Sequence, residues 1–173
     1  MKRLFLSLAA ITVIAAACIS EAGAQTPAFR EKGYKGNVGI ITFFYFPGIT
    51  SSHGYMFNGT HYLGAGITSL VTPSSHPEFL VGPVIEYQAY ILKRNSTPVV
   101  GVKLVGLAQL NDKVAYAAGF SPTFGWSWGI GSNRQFGIMP YIGVSALCDI
   151  TSTMRDEDFV SVFFPNLGVL FEF

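Results

Sequence analysis

Val114-Ala115-Tyr116-Ala117-Ala118-Gly119-Phe120-Ser121-Pro122-Thr123-Phe124-Gly125-Trp126-Ser127-Trp128-Gly129-Ile130 is the stretch on which the fold turns. One register reads Val114, Tyr116, Ala118, Phe120, Pro122, Phe124, Trp126, Trp128, Ile130. The other reads Ala115, Ala117, Gly119, Ser121, Thr123, Gly125, Ser127, Gly129. Side chains alternate faces along a β-strand, so this is one strand with a bulky face and a small, polar face.

Working outward, the same period recurs. Phe136, Ile138, Ile142, Val144, Ala146 and Cys148 alternate with Gly137, Tyr141, Gly143, Ser145 and Asp149. No segment carries a helical stripe. The pattern predicts eight strands, over 36–46, 49–57, 61–71, 79–91, 98–110, 114–130, 136–150 and 159–173. Turn residues punctuate them: Pro47-Gly48, Asn58-Gly59, Thr72 to Glu78, Lys93-Arg94-Asn95-Ser96, Asn111-Asp112-Lys113, Gly131-Ser132-Asn133-Arg134 and Thr151 to Asp158. Pro122, Pro140 and Pro165 fall inside strands, where a missing ladder donor predicts bulges or irregular pairing.

Volume decides which face is outside. An eight-stranded barrel is only wide enough for side chains to fill it, and five aromatics from one strand would overfill it. A soluble sheet would also carry Lys and Glu on its wet face, and these strands barely do. Composition agrees: charged residues are 12% and apolar residues 50% of the 173, with a mean hydropathy of +0.40. Yet the chain after its first residues has no uninterrupted apolar run of the ~18 that a spanning helix needs. A closed barrel is the other way to pair every backbone group in lipid. The expected fold is all-β, an eight-stranded antiparallel up-and-down transmembrane β-barrel with its small residues inside.

Residues 1–24 read as a signal peptide: Lys2-Arg3, an apolar stretch from Leu4 to Ala17, then Ala22-Gly23-Ala24 before Gln25. Ala15-Ala16-Ala17-Cys18 leaves lipidation at Cys18 as the alternative. Residues 25–35 are expected as a periplasmic segment, with Arg30, Lys32 and Lys35 solvated at the inner rim, and 36–173 as the barrel. Eleven Lys and Arg against ten Asp and Glu leave no basic field for nucleic acid. After cleavage Cys148 is alone, so neither a disulfide nor a metal cluster is expected, and no cofactor.

With the first strand rising from the periplasm, Tyr87, Trp126, Trp128, Phe136, Phe171 and Phe173 collect at one membrane boundary. Tyr45, Phe79, Tyr116 and Phe159 collect at the other. Two aromatic girdles are what the two interfaces of a bilayer select.

The final strand, Leu167-Gly168-Val169-Leu170-Phe171-Glu172-Phe173, resembles that of bacterial outer-membrane proteins. The resemblance implies that Phe171 and Phe173 are read by the barrel-assembly machinery. As a whole the chain looks like small barrels of the OmpA/OmpX type. Its segments Phe29-Arg30-Glu31-Lys32-Gly33-Tyr34-Lys35-Gly36 and Ser52-His53-Gly54-Tyr55-Met56-Phe57-Asn58 are similar to ones in outer-membrane barrels of anaerobic gut Gram-negatives. This implies the cell outer membrane, with its lipid and lipopolysaccharide as surroundings; a monomer is expected. Activity is not implied. Members known for adhesion or immune evasion carry long surface loops, and these loops are short.

Glu86 and Lys103 fall on interior faces of neighbouring strands, and a hairpin centred between Arg94 and Asn95 sets them opposite one another. Buried charges must pair, so a salt bridge is expected, with Gln88, Gln109 and Asn166 extending it by hydrogen bonds. Such a pair acts as a staple for register, or as a gate in a narrow ion path. His53 and His76 are placed near the outer rim with Ser51, Ser52, Ser74 and Ser75, at the end that holds Asp149, Asp156, Glu157 and Asp158. A Ser–His–acid arrangement there would act on lipid acyl chains, but no spacing motif supports it. His61 is placed at the opposite end. Asp156-Glu157-Asp158 reads as a charged loop rather than a cation site. The expected function is therefore structural or partner-docking, with no catalytic residues. The alternatives are a small-solute channel lined by Gly119, Gly125, Gly129, Gly137 and Gly143, and a lipid-modifying acyl hydrolase or transferase.

Overall fold

The structure, a computed structural model, describes residues 32–72, 78–109, 116–130, 136–149 and 161–173. The leader, Arg30, His76, Phe159 and the 156–158 acidic run lie outside these described residues.

Eight strands form one closed barrel in chain order: β1 (Gly33–Phe43), β2 (Phe46–Phe57), β3 (His61–Val71), β4 (Phe79–Tyr90), β5 (Ser96–Gln109), β6 (Tyr116–Ile130), β7 (Phe136–Asp149) and β8 (Ser161–Glu172). Every neighbouring pair is antiparallel, and β1 closes the barrel by pairing with β8 from Asn37↔Glu172 to Phe43↔Asn166. The start of β1 and the end of β8 therefore sit at one end of the barrel, the termini end. The β1–β2 turn, the end of β3 and the start of β4 lie at the other, the loop end, together with the end of β5, the start of β6, the end of β7 and the start of β8.

The faces divide as volume requires. In β6, Tyr116, Phe120, Phe124, Trp126 and Ile130 are exposed, while Ser121 and Ser127 are buried. The outward face elsewhere is equally apolar, with Ile40, Ile49, Ile67, Ile85, Leu104, Ile142 and Leu167 all exposed. A water-soluble protein does not present so continuous an apolar belt, whereas a lipid-embedded barrel requires one.

The β2–β3 turn follows its sequence signal. Asn58 and Gly59 both take positive φ, 52° and 70°, and the Thr60 amide donates to the Phe57 carbonyl at 3.1 Å. That is the mirror-image turn whose twist matches a hairpin.

The first hairpin corrects the sequence reading. Its turn is Phe44-Tyr45, not Pro47-Gly48. Phe44 accepts a left-handed φ of 58°, which a bulky residue seldom adopts. Phe44, Tyr45 and Phe46 pack ring against ring at 4.9 and 4.3 Å, so the turn is an aromatic cap at the membrane boundary rather than a polar loop. Pro47 lies on the outward face of β2. Gly48 faces inward, where a Cβ would run into the Ser69 carbonyl and Leu70. The start of the barrel moves accordingly. Gly33 to Lys35, expected in the periplasmic segment, belong to β1.

Two of the three prolines interrupt pairing without a bulge. The β6–β7 ladder passes from Phe120↔Ala146 to Thr123↔Gly143, skipping Pro122. It breaks again between Gly125↔Tyr141 and Trp128↔Ile138, beside Pro140. Register is the same on both sides of each gap. Pro165 stays in register opposite Val144, and its carbonyl accepts from the Phe44 amide at 2.8 Å.

Candidate functional site

Inward-facing residues are layered along the barrel axis. At the loop end the lumen is filled by Ile41, Phe43, Leu70, Val105 and Leu107, with Phe46, Leu80, Ala117 and Leu147 packed against the same cluster. Below this layer the polar side chains gather into three adjoining groups.

The first is built on Asn166, from β8. Its Nδ2 donates to Ser121 Oγ of β6 and Ser145 Oγ of β7, both at 2.7 Å, and the two hydroxyls lie 2.8 Å apart. The second surrounds Glu86 of β4, only 2% exposed. Asn37 Nδ2 donates to its Oε1 at 2.7 Å, the Ser52 hydroxyl donates to the same oxygen, and Lys103 Nζ lies 3.6 Å from Oε2. Lys103 also sits 4.2 Å above the Tyr141 ring, an aromatic face that stabilises its charge. The register sets Glu86 directly opposite Lys103, as hairpin arithmetic requires.

The third group joins β1 to β8. Lys35 Nζ forms an ion pair with Glu172 Oε1 at 2.6 Å and also donates to Gln88 Oε1 at 3.3 Å and to the Tyr90 hydroxyl. Tyr90 in turn donates towards Gln88 at 2.7 Å and towards Glu172, whose second oxygen accepts from Ser127. The rings of Tyr62 and Tyr90 stand 4.9 and 4.3 Å from the ammonium. Lys35, expected in a solvated rim, is instead a lumen residue at 6% exposure. Moving the start of β1 to Gly33 puts it on the inward parity.

The expected single network is thus divided. Gln88 belongs with Lys35, and Asn166 with the two serines. Gln109 lies opposite Leu80 at the loop end, six positions along β5 from Lys103. The glycines expected to line a channel are instead backed by side chains. A Cβ at Gly125 would fall 2.9 Å from that of Tyr141, at Gly137 2.6 Å from Glu172 Oε2, and at Gly143 2.9 Å from Asn166 Oδ1. At these three positions the absent side chain makes room for a bulkier lumen neighbour.

On the outer surface, Tyr87, Trp126, Trp128, Phe136, Phe171 and Phe173 lie on outward positions towards the termini end. Tyr45, Phe79 and Tyr116 lie towards the loop end. The termini-end belt also contains histidines. The His61 ring stacks on Tyr87, with its Nδ1 2.7 Å from the hydroxyl. His53 corrects the sequence reading, which put it at the outer rim. It pairs with Gly36, whose backbone bonds that of Phe173, so it belongs to the termini end. There its Nδ1 is 2.5 Å from the Tyr34 hydroxyl and its Nε2 is 3.2 Å from Ser51 Oγ. A strand descending from a two-residue turn reaches the termini end within a few residues, and His53 lies there.

A closed up-and-down barrel of eight strands with bulky apolar residues outside and a polar, packed lumen defines the class: a small transmembrane β-barrel. No protein-family model matches the chain, and no curated protein is similar to it in sequence. Among solved structures it is similar to Neisserial surface protein A, with a TM-score of 0.53 at 11% identity, over 82% of this chain and 94% of that one. The likeness is one of fold.

Proposed function

We propose that the protein is an integral outer-membrane barrel with a structural or partner-docking role, a sealed lumen and no catalytic activity. The observation that carries this reading is the apolar layer of Phe43, Leu70, Leu107 and Leu147 across the loop end of the lumen, above paired and buried charges. An ion entering would lose its hydration shell against hydrocarbon, a cost that no group in this layer offsets. The exposed apolar belt supports residence in lipid, and the likeness to a surface barrel supports the outer membrane as its place. On this reading the termini face the periplasm, and lipopolysaccharide surrounds the loop end. The assembly machinery reads Phe171 and Phe173, the leader is removed before Gln25, and the barrel works as a monomer. Among the described residues the polar partners of His53 are a tyrosine and a serine rather than a carboxylate, which does not favour a Ser–His–acid arrangement on this histidine.

The test is single-channel recording on purified protein in a planar bilayer, after a boiled-against-unboiled gel shift has established a folded barrel. No steady current is expected. A reproducible conductance would overturn the sealed lumen and favour the narrow channel.

A further inference from the structure

The β6–β7 ladder is broken twice and the β4–β5 ladder once, beside Pro83, while the other ladders run without a gap. The cause is covalent, because proline has no N–H to give. The flanking ladders stay unbroken at Val102↔Pro122 and Pro140↔Val169, so both missing donors belong to β6–β7. The breaks leave an island of three pairs, Thr123↔Gly143, Phe124↔Ile142 and Gly125↔Tyr141. Each strand bounds it with the same spacing, Pro122-Thr123-Phe124-Gly125 in β6 and Pro140-Tyr141-Ile142-Gly143 in β7.

Side chains take over where the ladder stops. At the first break Ser121 Oγ lies 2.8 Å from Ser145 Oγ, and Asn166 Nδ2 of β8 donates to both at 2.7 Å. At the second break the Ser127 hydroxyl donates to Glu172 Oε2 of β8. Each β8 group has to cross β7 to reach β6, and each crosses it at a glycine. Asn166 is the register partner of Gly143, and Glu172 that of Gly137. A Cβ on those glycines would lie 2.9 Å from Asn166 Oδ1 or 2.6 Å from Glu172 Oε2. The two constructions copy one another: Ser121 and Ser127, Gly137 and Gly143, Asn166 and Glu172 are each six positions apart.

We propose that the β6–β7 seam is a latched lateral opening in the barrel wall, held shut by these two side-chain latches and able to part when they release. Parting two strands in hydrocarbon strands their main-chain groups without partners, and that cost keeps an ordinary seam closed. At β6–β7 two of those bonds are missing from the outset, so less is lost on opening. The latches supply the difference, each hydrogen bond shifting the opening equilibrium about fivefold. An opening here leads from lipid to the lumen side chains around Tyr141 and Lys103, and leaves the apolar layer at the loop end in place. It goes beyond the sealed-lumen reading, which concerns passage along the axis.

The test uses the whole barrel in lipid nanodiscs and reads microsecond-to-millisecond exchange of backbone amides by NMR relaxation dispersion. Ser121→Ala combined with Ser127→Ala frees β6 from both latches. Dispersion is then expected at Thr123 to Gly125 and Tyr141 to Gly143, with the unbroken β2–β3 ladder flat. Adding Pro122→Val and Pro140→Val returns the two donors and is expected to abolish the dispersion. A latch variant as quiet on the island as in β2–β3 would overturn the proposal, and so would dispersion that survives both valines. If the double variant does not fold, Ser127→Ala alone is read at Gly125 and Tyr141, beside its break, where a flat profile overturns the proposal. Conductance enters neither readout. A quiet seam in a non-conducting barrel sinks this inference alone, and a conducting barrel with a latched seam sinks only the sealed lumen.

Discussion

Replacing Glu172 with Gln removes the only carboxylate that contacts Lys35 among its described partners. Glu172 is the penultimate residue, is 4% exposed, and holds Lys35 Nζ at 2.6 Å across the seam where β8 meets β1. Removing one partner of a buried ion pair costs about 3–5 kcal/mol, because the remaining charge stays desolvated and uncompensated. Gln88 Oε1, the Tyr90 hydroxyl and two aromatic rings remain against the ammonium, which places the expected loss near the lower end, ~3 kcal/mol. At 1.4 kcal/mol per tenfold change, that is a folding equilibrium weakened roughly 150-fold. The assay is urea unfolding in detergent micelles, followed by fluorescence of Trp126 and Trp128 and by the gel shift. Refolding from urea keeps any assembly role of the last strand out of the measurement. Lys35→Met alone removes the ammonium that Glu172 Oε1 faces and is expected to cost a similar amount. Lys35→Met combined with Glu172→Gln is expected to recover most of the loss, since a neutral pair of like size is often no worse than the ions. If Glu172→Gln costs under about 1 kcal/mol, the pair behaves like a surface contact and the buried-network argument fails. A double variant as unstable as the sum of the singles would refute it too.

Three further outcomes are expected. Gly59→Ala forces a side chain into φ 70° at the β2–β3 turn and is expected to cost about 1–2 kcal/mol by the same titration. Phe124→Arg, on the outward face midway along β6, is expected to cost about 2–4 kcal/mol in lipid vesicles, against about 0–1 for Phe171→Arg nearer the boundary; equal effects would contradict the membrane depth assigned here. Glu86 and Lys103 belong to one hairpin whereas Lys35 and Glu172 are 137 positions apart. Lys103→Met is therefore expected to slow folding, and Glu172→Gln mainly to hasten unfolding, in stopped-flow traces.

Most of the architecture was legible because it depends on parity. A period-2 pattern with large residues in one register determines which face each side chain takes, so the strands, the outward aromatics and the inward Glu86 and Lys103 follow from local sequence. The Glu86–Lys103 contact was legible for a further reason: both residues belong to one hairpin, where the turn centre alone sets the partner. Lys35–Glu172 was not. Its partners come from the first and last strands, and their meeting depends on closure and on the accumulated stagger of seven intervening pairings. The first turn was hidden because Phe44-Tyr45 has no turn chemistry, whereas Pro47-Gly48 has it and uses it otherwise. That three-residue error moved Lys35 out of the lumen on paper, and with it a third of the polar column.

Parity leaves one ambiguity that only the lumen resolves. Slipping a strand by one residue would exchange its faces, and the apolar belt forbids that. Slipping it by two keeps every bulky residue outward, and lipid is indifferent to the change. What a two-residue slip destroys is inside. It would part Glu86 from Lys103, lift Asn166 off Ser121 and Ser145, and drive Tyr141 away from the glycines that make room for it at Gly125 and Gly168. The outward face thus carries the barrel's depth and orientation in the bilayer, and the inward face carries its register. A packed, paired lumen is then what a barrel with little else to align its strands requires, independently of anything that passes through it.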